Sequence, residues 1–273
     1  MQSLQNKIVW ITGASSGIGE ALAHEFAKKG AKLVLSARRV EALAQIKQSL
    51  GLTLDSVLVL PMDMLEFDSF RSKVDIVLSH FGQIDVMVHN AGMSQRGLFG
   101  ETTGADAQRL MDTNFTSIVA LTRLVLPVMV AQQSGAFLVT SSVSGKLGTV
   151  YRTMYAASKH ALHGFFDGLR GEVWRDNISV TIACPGYIKT DLSYSAIGKN
   201  GQPYGLMDEN QAKGIATDVC AQKMVNALQS GKHEVVIAGF METLGTILKR
   251  FLPKLLWQFT KNYNIRAVEK IVS

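Results

Sequence analysis

The chain has 273 residues, of which 47% are hydrophobic and 18% charged, with 24 glycines and two cysteines. This composition excludes a disordered tail, a collagen-like fibre and a disulfide-stapled miniprotein, and the length is sufficient to bury a large core. The net charge is +6, but residues 249–273 contain six Lys/Arg and one acid. The rest of the chain is therefore close to neutral, and we do not expect a nucleic-acid groove across it.

The cysteines and the chain start bear on the compartment. Cys184 and Cys220 are far apart and form no CxxC pair, which argues against a disulfide framework, a metal site or a redox motif and suits a reducing compartment. The chain already reads as a β-rich run from residue 7, without a targeting pattern before it. It contains no run of about 18 consecutive apolar residues. We expect a cytoplasmic protein without a spanning helix.

Short β-branched runs alternate along the chain with longer stretches of helical period. The predicted strands are 7–12, 32–37, 56–61, 85–89, 135–141, 178–184 and 234–238. The predicted helices are 18–29, 40–50, 66–80, 106–131, 154–174 and 217–229. Several strands are apolar on both faces, as a parallel sheet covered by helices on both sides requires. We predict an α/β fold, a single doubly wound Rossmann-fold domain over 1–240 with about seven strands, and a C-terminal helical extension over 241–273.

A glycine-rich turn follows the first predicted strand. Residues 12–19 read Thr-Gly-Ala-Ser-Ser-Gly-Ile-Gly and open directly into a helix. Glycines let the backbone approach a pyrophosphate, whose charge is met by the amides at the helix N-terminus. A turn without a ligand is the alternative, but the strand before and the helix after favour dinucleotide binding. The predicted binding residues here are Gly13, Ser15, Ser16, Gly17, Ile18 and Gly19.

The end of the second strand indicates which dinucleotide is bound. An NAD site usually has an acid about 20 residues after the glycines, on the ribose 2′-hydroxyl. Here the strand ends in Arg38 and Arg39, with no acid. Guanidinium groups suit a 2′-phosphate, although either arginine could instead be a solvated residue at a helix start. We predict NADP(H), with Arg38 as the main phosphate ligand and Arg39 as a weaker one.

A serine, a tyrosine and a lysine form the predicted catalytic group. Ser142 follows the fifth strand, and Tyr155 and Lys159 begin the next long helix, four residues apart on one face. A nearby ammonium lowers the pKa of a phenol, which is about 10 when unperturbed, and so makes tyrosine a usable acid/base. A Tyr-xxx-Lys pair alone is weak evidence.

Together these motifs resemble the short-chain dehydrogenase/reductase family over about residues 5–240. Further matching positions are Asp63, His89-Asn90-Ala91-Gly92, Asn114, and Cys184-Pro185-Gly186-Tyr187-Ile188-Lys189-Thr190. The resemblance implies that Tyr155 is the acid/base, that Ser142 orients the carbonyl, and that Lys159 also binds the nicotinamide ribose. It implies that Asn114 holds a water in a proton relay. The further cofactor contacts implied are Asp63, Met64, Asn90, Ala91, Gly92, Tyr155, Lys159, Pro185, Gly186, Ile188 and Thr190.

The implied reaction interconverts a carbonyl and a secondary alcohol. The segment 192–207 carries tyrosines, methionine and glycines after the last motif, so it resembles a lid over a lipophilic small molecule, although a packed loop is nearly as compatible. We expect substrate contacts from 93–99, 143–151 and 192–207. Two short segments, Gly-Tyr-Ile-Lys-Thr-Asp-Leu-Ser at 186–193 and Tyr-Gly-Leu-Met-Asp at 204–208, resemble the branch of the family with 11β-hydroxysteroid dehydrogenases and dehydrogenase/reductase member 7 proteins. A non-catalytic NADPH-binding sensor or scaffold is the alternative.

Two further surfaces are candidates for partners. The resemblance implies a homodimer or homotetramer through 106–131 and 154–174, whose apolar faces include Leu121, Leu124, Val125 and Val128. The extension has an apolar helical stripe with Lys249, Arg250 and Lys254 beside it, interrupted by Pro253. Through 241–261 it could lie peripherally on an anionic membrane surface, at the inner face of a membrane. Packing over the substrate cleft or a neighbouring subunit is the alternative.

Overall fold

The centre of the molecule is a single parallel sheet. A computed structural model describes residues 3–261, apart from the side chain of Leu54. Within these residues seven parallel strands lie in the order β3-β2-β1-β4-β5-β6-β7. The strands are β1 (Ile8–Thr12), β2 (Lys32–Ser36), β3 (Val57–Val59), β4 (Val86–His89), β5 (Gly135–Thr140), β6 (Ile178–Pro185) and β7 (Glu234–Ile237). The doubly wound arrangement expected from the sequence is confirmed, and the strand order reverses between β1 and β4.

Besides a helical segment over 253–261, nine α-helices accompany the strands in the described part of the chain. They are α1 (Gly17–Lys28), α2 (Val40–Ser49), α3 (Phe70–Phe81), α4 (Gly104–Met111), α5 (Ser117–Gln132), α6 (Thr153–Val173), α7 (Glu209–Ala212), α8 (Thr217–Gln229) and α9 (Phe240–Phe251). The helix predicted over 106–131 is divided by a π-helical turn, Asp112–Thr116. The helix predicted from residue 66 begins only at Phe70, because a 3₁₀ turn precedes it. The short α7 was not predicted.

The strands are mostly apolar because each face of the sheet packs against its own helices. Val9 and Ile11 belong to one core cluster with α1, α2 and α8. Ile8 and Trp10 belong to the other, with α3, α5 and α6. Successive side chains on a strand point to opposite faces. Two hydrophobic layers therefore fix the sheet between the helices and hold the carboxyl ends of the strands at one edge.

His89 is a core residue and not a proton carrier. It is fully buried at the end of β4, stacks on Phe137 with ring centroids 6.0 Å apart, and places Nε2 2.9 Å from Thr122 Oγ1. Burial lowers its pKa to about 3. A neutral imidazole therefore links β4 to α5 at neutral pH.

The long helix through α4 and α5 also bears on the membrane question. Among the described residues, Gly104–Gln132 is long and apolar enough to cross a membrane by length and composition, with a mean hydropathy of 1.6. The sequence contains no run of about 18 consecutive apolar residues, but a mean hydropathy can still be high when polar side chains are interspersed among apolar ones. It is weak evidence, since core helices pass the same test. Leu121 and Val125 of this helix lie in the core, so they offer no surface to a second subunit.

The C-terminal extension is interrupted next to Pro253, as the sequence predicts. Helix α9 ends at Phe251, Leu252 has φ −135 and ψ 58, and the chain is helical again over 253–261. Large apolar side chains of this segment are exposed, including Phe240, Met241, Ile247, Phe251, Leu252, Trp257 and Phe259. Arg266, Glu269 and Lys270 of the predicted extension lie outside the described residues. The described apolar stripe is thus largely unburied within the chain, with Leu256 as an exception.

Candidate active site

One large cleft opens at the carboxyl ends of the strands, where the strand order reverses. Its volume is about 1460 Å³. Ligand pockets in proteins are typically about 300–1,000 Å³, so the cleft has room for a dinucleotide and a second molecule. Predicted site residues that line it are Gly13, Ser15, Ser16, Gly17, Ile18, Arg38, Arg39, Asp63, Met64, Asn90, Ala91, Gly92, Ser142, Tyr155, Lys159, Pro185, Gly186, Ile188 and Thr190.

The glycine turn has the geometry that a diphosphate needs. Gly13 and Gly17 have φ of +65° and +60°, in the left-handed region that favours glycine. A Cβ on Gly13 would lie 2.8 Å from Ala91 Cα. The side chain of Ser16, which precedes α1, does not cap the first turn of the helix. The backbone amides in the first turn of α1 therefore remain available to an anion in the cleft. Phosphate groups bind to helix N-termini in this arrangement.

Gly19 lies behind the turn and does not line the cleft. A Cβ there would be 2.1 Å from Gly13 O and 2.7 Å from Asn90 Nδ2. The absent side chain lets α1 pack directly under the turn, so Gly19 shapes the binding site without facing the ligand.

A threonine hydroxyl joins the turn to the loop after β4. Thr12 Oγ1 accepts hydrogen bonds from the amides of Asn90 and Ala91, each at 3.1 Å. Asn90 Nδ2 in turn donates to Thr12 O and Gly13 O at 3.2 and 3.3 Å. The sequence analysis did not assign Thr12 a role. Its position at the strand end, just before the glycines, was the available signal.

The two arginines at the end of β2 lie at the opposite end of the cleft from Tyr155. Arg39 Nη2 donates to Ser15 O at 3.1 Å and to Ser15 Oγ at 3.2 Å. Arg38 is exposed on the cleft wall. Asp63 accepts a hydrogen bond from Leu65 N at 3.0 Å. Positive charge thus borders this end of the cleft, beside the glycine turn.

Tyr155 and Lys159 are brought together in the first turns of α6. Both are buried, and Lys159 Nζ lies 5.9 Å from the centroid of the Tyr155 ring. The same Nζ donates a hydrogen bond to Thr140 O at 2.8 Å. Burial lowers the pKa of Lys159 to about 8. The amino group of Lys159 is therefore held beside the ring of Tyr155.

Ser142 lines the same cleft, and its hydroxyl is oriented by the backbone. Its Oγ accepts from Ser144 N at 3.0 Å and donates to Pro185 O at 3.3 Å. The chain then turns inward, and Val143, Ser144 and Gly145 are buried. Among the described residues that line the cleft, none belongs to the expected contact segment 143–151, whereas Arg152 does line it. The expected substrate contacts from 143–151 stay a prediction.

Asn114 does not line the cleft either. It lies in the π-helical turn, is fully buried, and accepts from Met93 N at 2.8 Å. Its Nδ2 donates to Met93 O and to Ser158 Oγ, both at 3.0 Å. The side-chain amide of Asn114 therefore holds the loop after β4 in place. The relay role implied by the family resemblance has no support from this side-chain geometry.

Gln95 is a positioning residue that the sequence analysis missed. It is fully buried, and its Oε1 accepts from Met154 N at 2.9 Å and from Tyr155 N at 3.2 Å. Its Nε2 donates to Thr102 Oγ1 at 2.6 Å. The side chain therefore anchors the start of α6 to the loop after β4. A glutamine in a polar loop gives no sequence signal for such a long-range contact.

The segment predicted as a lid is fastened across the substrate end of the cleft. Ile197 N donates to Ser94 O at 2.9 Å, and Arg96 N donates to Ile197 O at 2.7 Å. The Arg96 side chain also forms a largely buried ion pair with Asp208. Leu192, Tyr194 and Met207 line the cleft from this segment.

A polar cluster lies behind α6. His163, Cys184 and Glu234 place candidate ligand atoms within 4.8 Å of one another. Burial raises the pKa of the Cys184 thiol to about 12, and Lys146 pairs with Glu234 at 2.7 Å. A protonated thiol and a neutralised carboxylate both disfavour a metal ion. We interpret the cluster as packing polar groups against β6 and β7.

The fold and the site together define a dinucleotide-binding α/β protein with a buried tyrosine–lysine pair in its cleft. Comparison with known proteins agrees with this class. A family model described as short chain dehydrogenase matches residues 7–200. The chain belongs to the short-chain dehydrogenase/reductase family, a family of oxidoreductases that bind a nicotinamide cofactor.

Individual relatives narrow the branch. Dehydrogenase/reductase SDR family member 7B of Bos taurus is 38% identical over 261 residues, covering 93% of this chain and 80% of the relative. Dehydrogenase/reductase SDR family protein 7-like of Anopheles gambiae is 39% identical over 265 residues, covering 94% and 83%. A solved short-chain dehydrogenase from Streptomyces avermitilis has a TM-score of 0.80 at 26% identity, covering 94% of this chain and 98% of that one. The expected member 7-like branch is confirmed.

A structure of a short-chain dehydrogenase/reductase from Burkholderia phymatum, determined in complex with NAD, shares the fold. Its TM-score is 0.77 at 23% identity, covering 86% of this chain and 90% of that one. It illustrates that this fold accommodates a dinucleotide.

The lowered pKa of Lys159 predicts a pH dependence for carbonyl reduction. Lys159 is charged below about pH 8 and loses its proton as pH rises through that value. Since the cation assists Tyr155, kcat/KM for reduction should fall above about pH 8. In Lys159→Arg the cation does not titrate in this range, so any residual activity should lack this fall. The measurement is kcat/KM against pH for both proteins; the same descending limb in both would contradict the assignment.

Proposed function

We propose that the chain is an NADP(H)-dependent oxidoreductase that interconverts a carbonyl and a secondary alcohol on a small molecule with a lipophilic part. The observation that carries the proposal is the buried Tyr155–Lys159 pair, which lines the dinucleotide-sized cleft together with Ser142. A bound nicotinamide would supply or accept the hydride. The experiment is a panel of ketones, aldehydes and secondary alcohols followed by NADPH absorbance, in which turnover by the full chain supports the proposal.

The chain's own residues would manage the proton and the oxyanion. Tyr155 would protonate the carbonyl oxygen in reduction and take the proton back in oxidation, aided by the ammonium of Lys159. The Ser142 hydroxyl would donate a hydrogen bond to the same oxygen. Ser142 Oγ could keep accepting from Ser144 N while its proton turns from Pro185 O, its present acceptor at 3.3 Å, to the substrate oxygen.

The proposed lipophilic character of the substrate is supported by the lid. Leu192, Tyr194 and Met207 line the cleft beyond Tyr155, and the ion pair of Arg96 with Asp208 holds this segment in place. Apolar and aromatic side chains favour burial of a hydrocarbon portion.

The cofactor preference is proposed from the end of β2. Arg38 lies exposed on the cleft wall and carries no acidic neighbour in sequence, and Arg39 is tied to the glycine turn. NADPH should therefore bind more tightly than NADH. Removing one charge-assisted contact costs about 1.5–3 kcal/mol, so Arg38→Ala should weaken NADPH binding by about 10- to 100-fold and change NADH binding little. Calorimetry of both cofactors decides this, and equal affinities in the unaltered chain would show that the NADP(H) assignment is wrong.

The alternative is a protein that binds NADPH as a sensor or scaffold without turnover. Such a protein needs the glycine turn and the arginines but has no need of a buried tyrosine–lysine pair facing the cleft. The presence of the pair favours the enzyme. A chain that binds NADPH but shows no turnover that depends on Tyr155 would be a sensor or scaffold and not an enzyme.

For the extension we propose contact with an anionic membrane surface, at the inner face of a membrane. The apolar side chains of α9 and 253–261 are exposed, and Lys249, Arg250, Lys254 and Lys261 accompany them against one acid, Glu242. Glu242 is occupied, since it accepts from Tyr187 N at 3.0 Å and Gly239 N at 2.8 Å. An exposed apolar stripe with unpaired basic residues suits anionic lipid headgroups.

Co-sedimentation with vesicles tests this contact. The full chain should bind vesicles of phosphatidylglycerol and phosphatidylcholine at low salt more strongly than vesicles of phosphatidylcholine alone. Lys249→Glu combined with Arg250→Glu should lower binding by at least about 30-fold, at about 1 kcal/mol for each basic residue. Equal vesicle binding by the variant would contradict the proposal. A dimer in light scattering whose crosslinks join the apolar stripe to a second subunit would contradict it as well. Homodimer or homotetramer formation through α5 and α6 remains a separate prediction for the same light-scattering measurement.

A further inference from the structure

Arg152 is a basic side chain in the cleft that the proposed chemistry does not use. It lies directly before α6, three residues ahead of Tyr155, and lines the cleft. Its Nε is buried and has no hydrogen-bond partner in the described part of the chain. Its guanidinium carbon lies 5.4 Å from the centroid of the Tyr187 ring.

A buried guanidinium donor without an acceptor is an unstable arrangement unless a ligand completes it. Arginine stays charged at all physiological pH values and presents five N–H donors in one plane. A buried donor left unpaired is unfavourable, and more so when the group is charged. The aromatic face of Tyr187 covers one side of the plane. The N–H donors at the edge of the guanidinium plane therefore remain available to a ligand.

The surroundings hold Arg152 in place for such a ligand. Tyr187 is fixed on both sides of its backbone, since its amide donates to Glu242 Oε1 at 3.0 Å and its carbonyl accepts from Ile215 N at 2.9 Å. The backbone carbonyl of Arg152 accepts from Ala156 N at 2.7 Å in the first turn of α6. Both partners of the stacked pair are thus anchored to rigid elements, which lowers the entropic cost of binding.

The position of Arg152 assigns it to the substrate end of the cleft. The glycine turn, Arg38 and Asp63 mark the adenine and phosphate end, and Tyr155 with Lys159 marks the reacting end. Arg152 directly precedes the helix that carries Tyr155, and the apolar or aromatic residues Leu192, Tyr194 and Met207 line the same cleft. A guanidinium beside an apolar wall matches a molecule with a hydrocarbon body and one anionic group.

We propose that Arg152 binds an anionic oxyacid group of the substrate, so that the enzyme acts on keto acids or hydroxy acids in preference to neutral carbonyl compounds. The inference rests on the proposed oxidoreductase function and narrows its substrate class. A carboxylate matches the planar fork of the guanidinium through two parallel hydrogen bonds, and a phosphate or sulfonate group offers the same charge-assisted acceptors. Arg152 would thereby determine specificity, while Tyr155 determines the chemistry.

Matched pairs of acids and neutral analogues test the preference. We would compare para-acetylbenzoate with para-acetylbenzamide, and levulinate with methyl levulinate, by NADPH oxidation with the full chain. The ratio of kcat/KM for acid over neutral partner should be at least about tenfold, which is the effect of one charge-assisted contact. Para-acetylbenzenesulfonate and para-acetylphenyl phosphate then identify which oxyacid is preferred; either result supports an anion site. Equal kcat/KM for acid and neutral partners would overturn the proposal.

Variants assign the preference to Arg152. In Arg152→Gln the ratio should fall towards one, through a higher KM for the acid, and Arg152→Lys should retain part of it because the charge remains. Arg175→Gln is the matched control, since Arg175 also stacks on an aromatic ring, at 5.2 Å from Trp174, but lies on the exposed surface outside the cleft. A ratio that falls equally in the control would show a general effect of net charge and overturn the assignment.

Binding provides a readout that does not depend on turnover. Calorimetry with the NADP⁺-loaded chain should show para-acetylbenzoate binding more tightly than para-acetylbenzamide, and Arg152→Gln should remove the difference. If the acid binds preferentially but nothing is reduced, the oxidoreductase proposal fails and the anion site stands. If neutral ketones are reduced in a Tyr155-dependent way and the acids bind no better, the oxidoreductase proposal stands and the anion site fails. Melting of each variant with NADPH confirms folding.

Discussion

Tyr155→Phe should lower kcat for carbonyl reduction by about 10²- to 10⁴-fold, the usual contribution of a positioned general acid. The change removes the hydroxyl and retains the ring, which is buried beside Lys159 and packed in the first turns of α6. KM for the carbonyl compound should change much less, because proton transfer develops only in the transition state. NADPH affinity should fall by about tenfold at most, corresponding to one hydrogen bond.

The measurement is steady-state NADPH oxidation with the best substrate of the panel, together with calorimetric NADPH binding. Tyr204→Phe is the matched control, because Tyr204 lies in the lid segment but does not line the cleft. Its kcat should stay close to that of the unaltered chain. Equal turnover by the Tyr155 variant and the unaltered chain would remove Tyr155 from the mechanism.

Gly19→Ala should weaken NADPH binding by at least about 100-fold, because more than one charge-assisted phosphate contact depends on the turn, at about 1.5–3 kcal/mol each. The added Cβ would lie 2.1 Å from Gly13 O and 2.7 Å from Asn90 Nδ2. Both atoms belong to segments that are hydrogen-bonded to each other, so neither can move without opening the turn. Overpacking at such a site also costs about 1–3 kcal/mol of folding free energy.

Gly168→Ala provides the control for this change. Gly168 is an exposed position of α6, and a Cβ there meets nothing within 4 Å. It should bind NADPH normally and gain about 0.5–1 kcal/mol of stability, since alanine is a better helix former. Calorimetry and urea unfolding give both quantities. Unchanged NADPH affinity in Gly19→Ala would refute the role of the turn in holding the pyrophosphate.

The sheet was predictable because each strand and helix is indicated by the residue pattern within its own segment. The central strands are buried on both faces, so a run such as Ile8-Val9-Trp10-Ile11 is apolar without alternation, and the intervening helices carry one apolar stripe each. The glycine turn was equally legible, since Gly13 and Gly17 occupy backbone conformations that other residues adopt at a cost. The start of α3 was misplaced because a 3₁₀ turn and an α-helix share the same residue preferences over three or four positions.

The site was predictable where chemistry demands particular side chains and unpredictable where contacts are long-range. Tyr155 and Lys159 are four residues apart, so their shared face follows from the helix period alone. The contact of Gln95 with the amide of Tyr155 joins residues 60 positions apart, and nothing in the sequence of the loop indicates it. Arg152 was overlooked for a related reason, since the inward turn at Val143–Gly145 decides which of its neighbours reach the cleft.

The central claim is that this cleft transfers a hydride between a nicotinamide and a carbonyl carbon, with Tyr155 handling the proton. The most direct measurement is mass spectrometry of alcohols formed from a ketone panel when the full chain is supplied with NADPH deuterated at the reactive carbon of the nicotinamide. We predict deuterium in at least one product alcohol with the unaltered chain and a much lower yield with Tyr155→Phe. NADPH that binds tightly while no alcohol acquires deuterium with either protein would contradict the claim and favour a cofactor-binding sensor or scaffold.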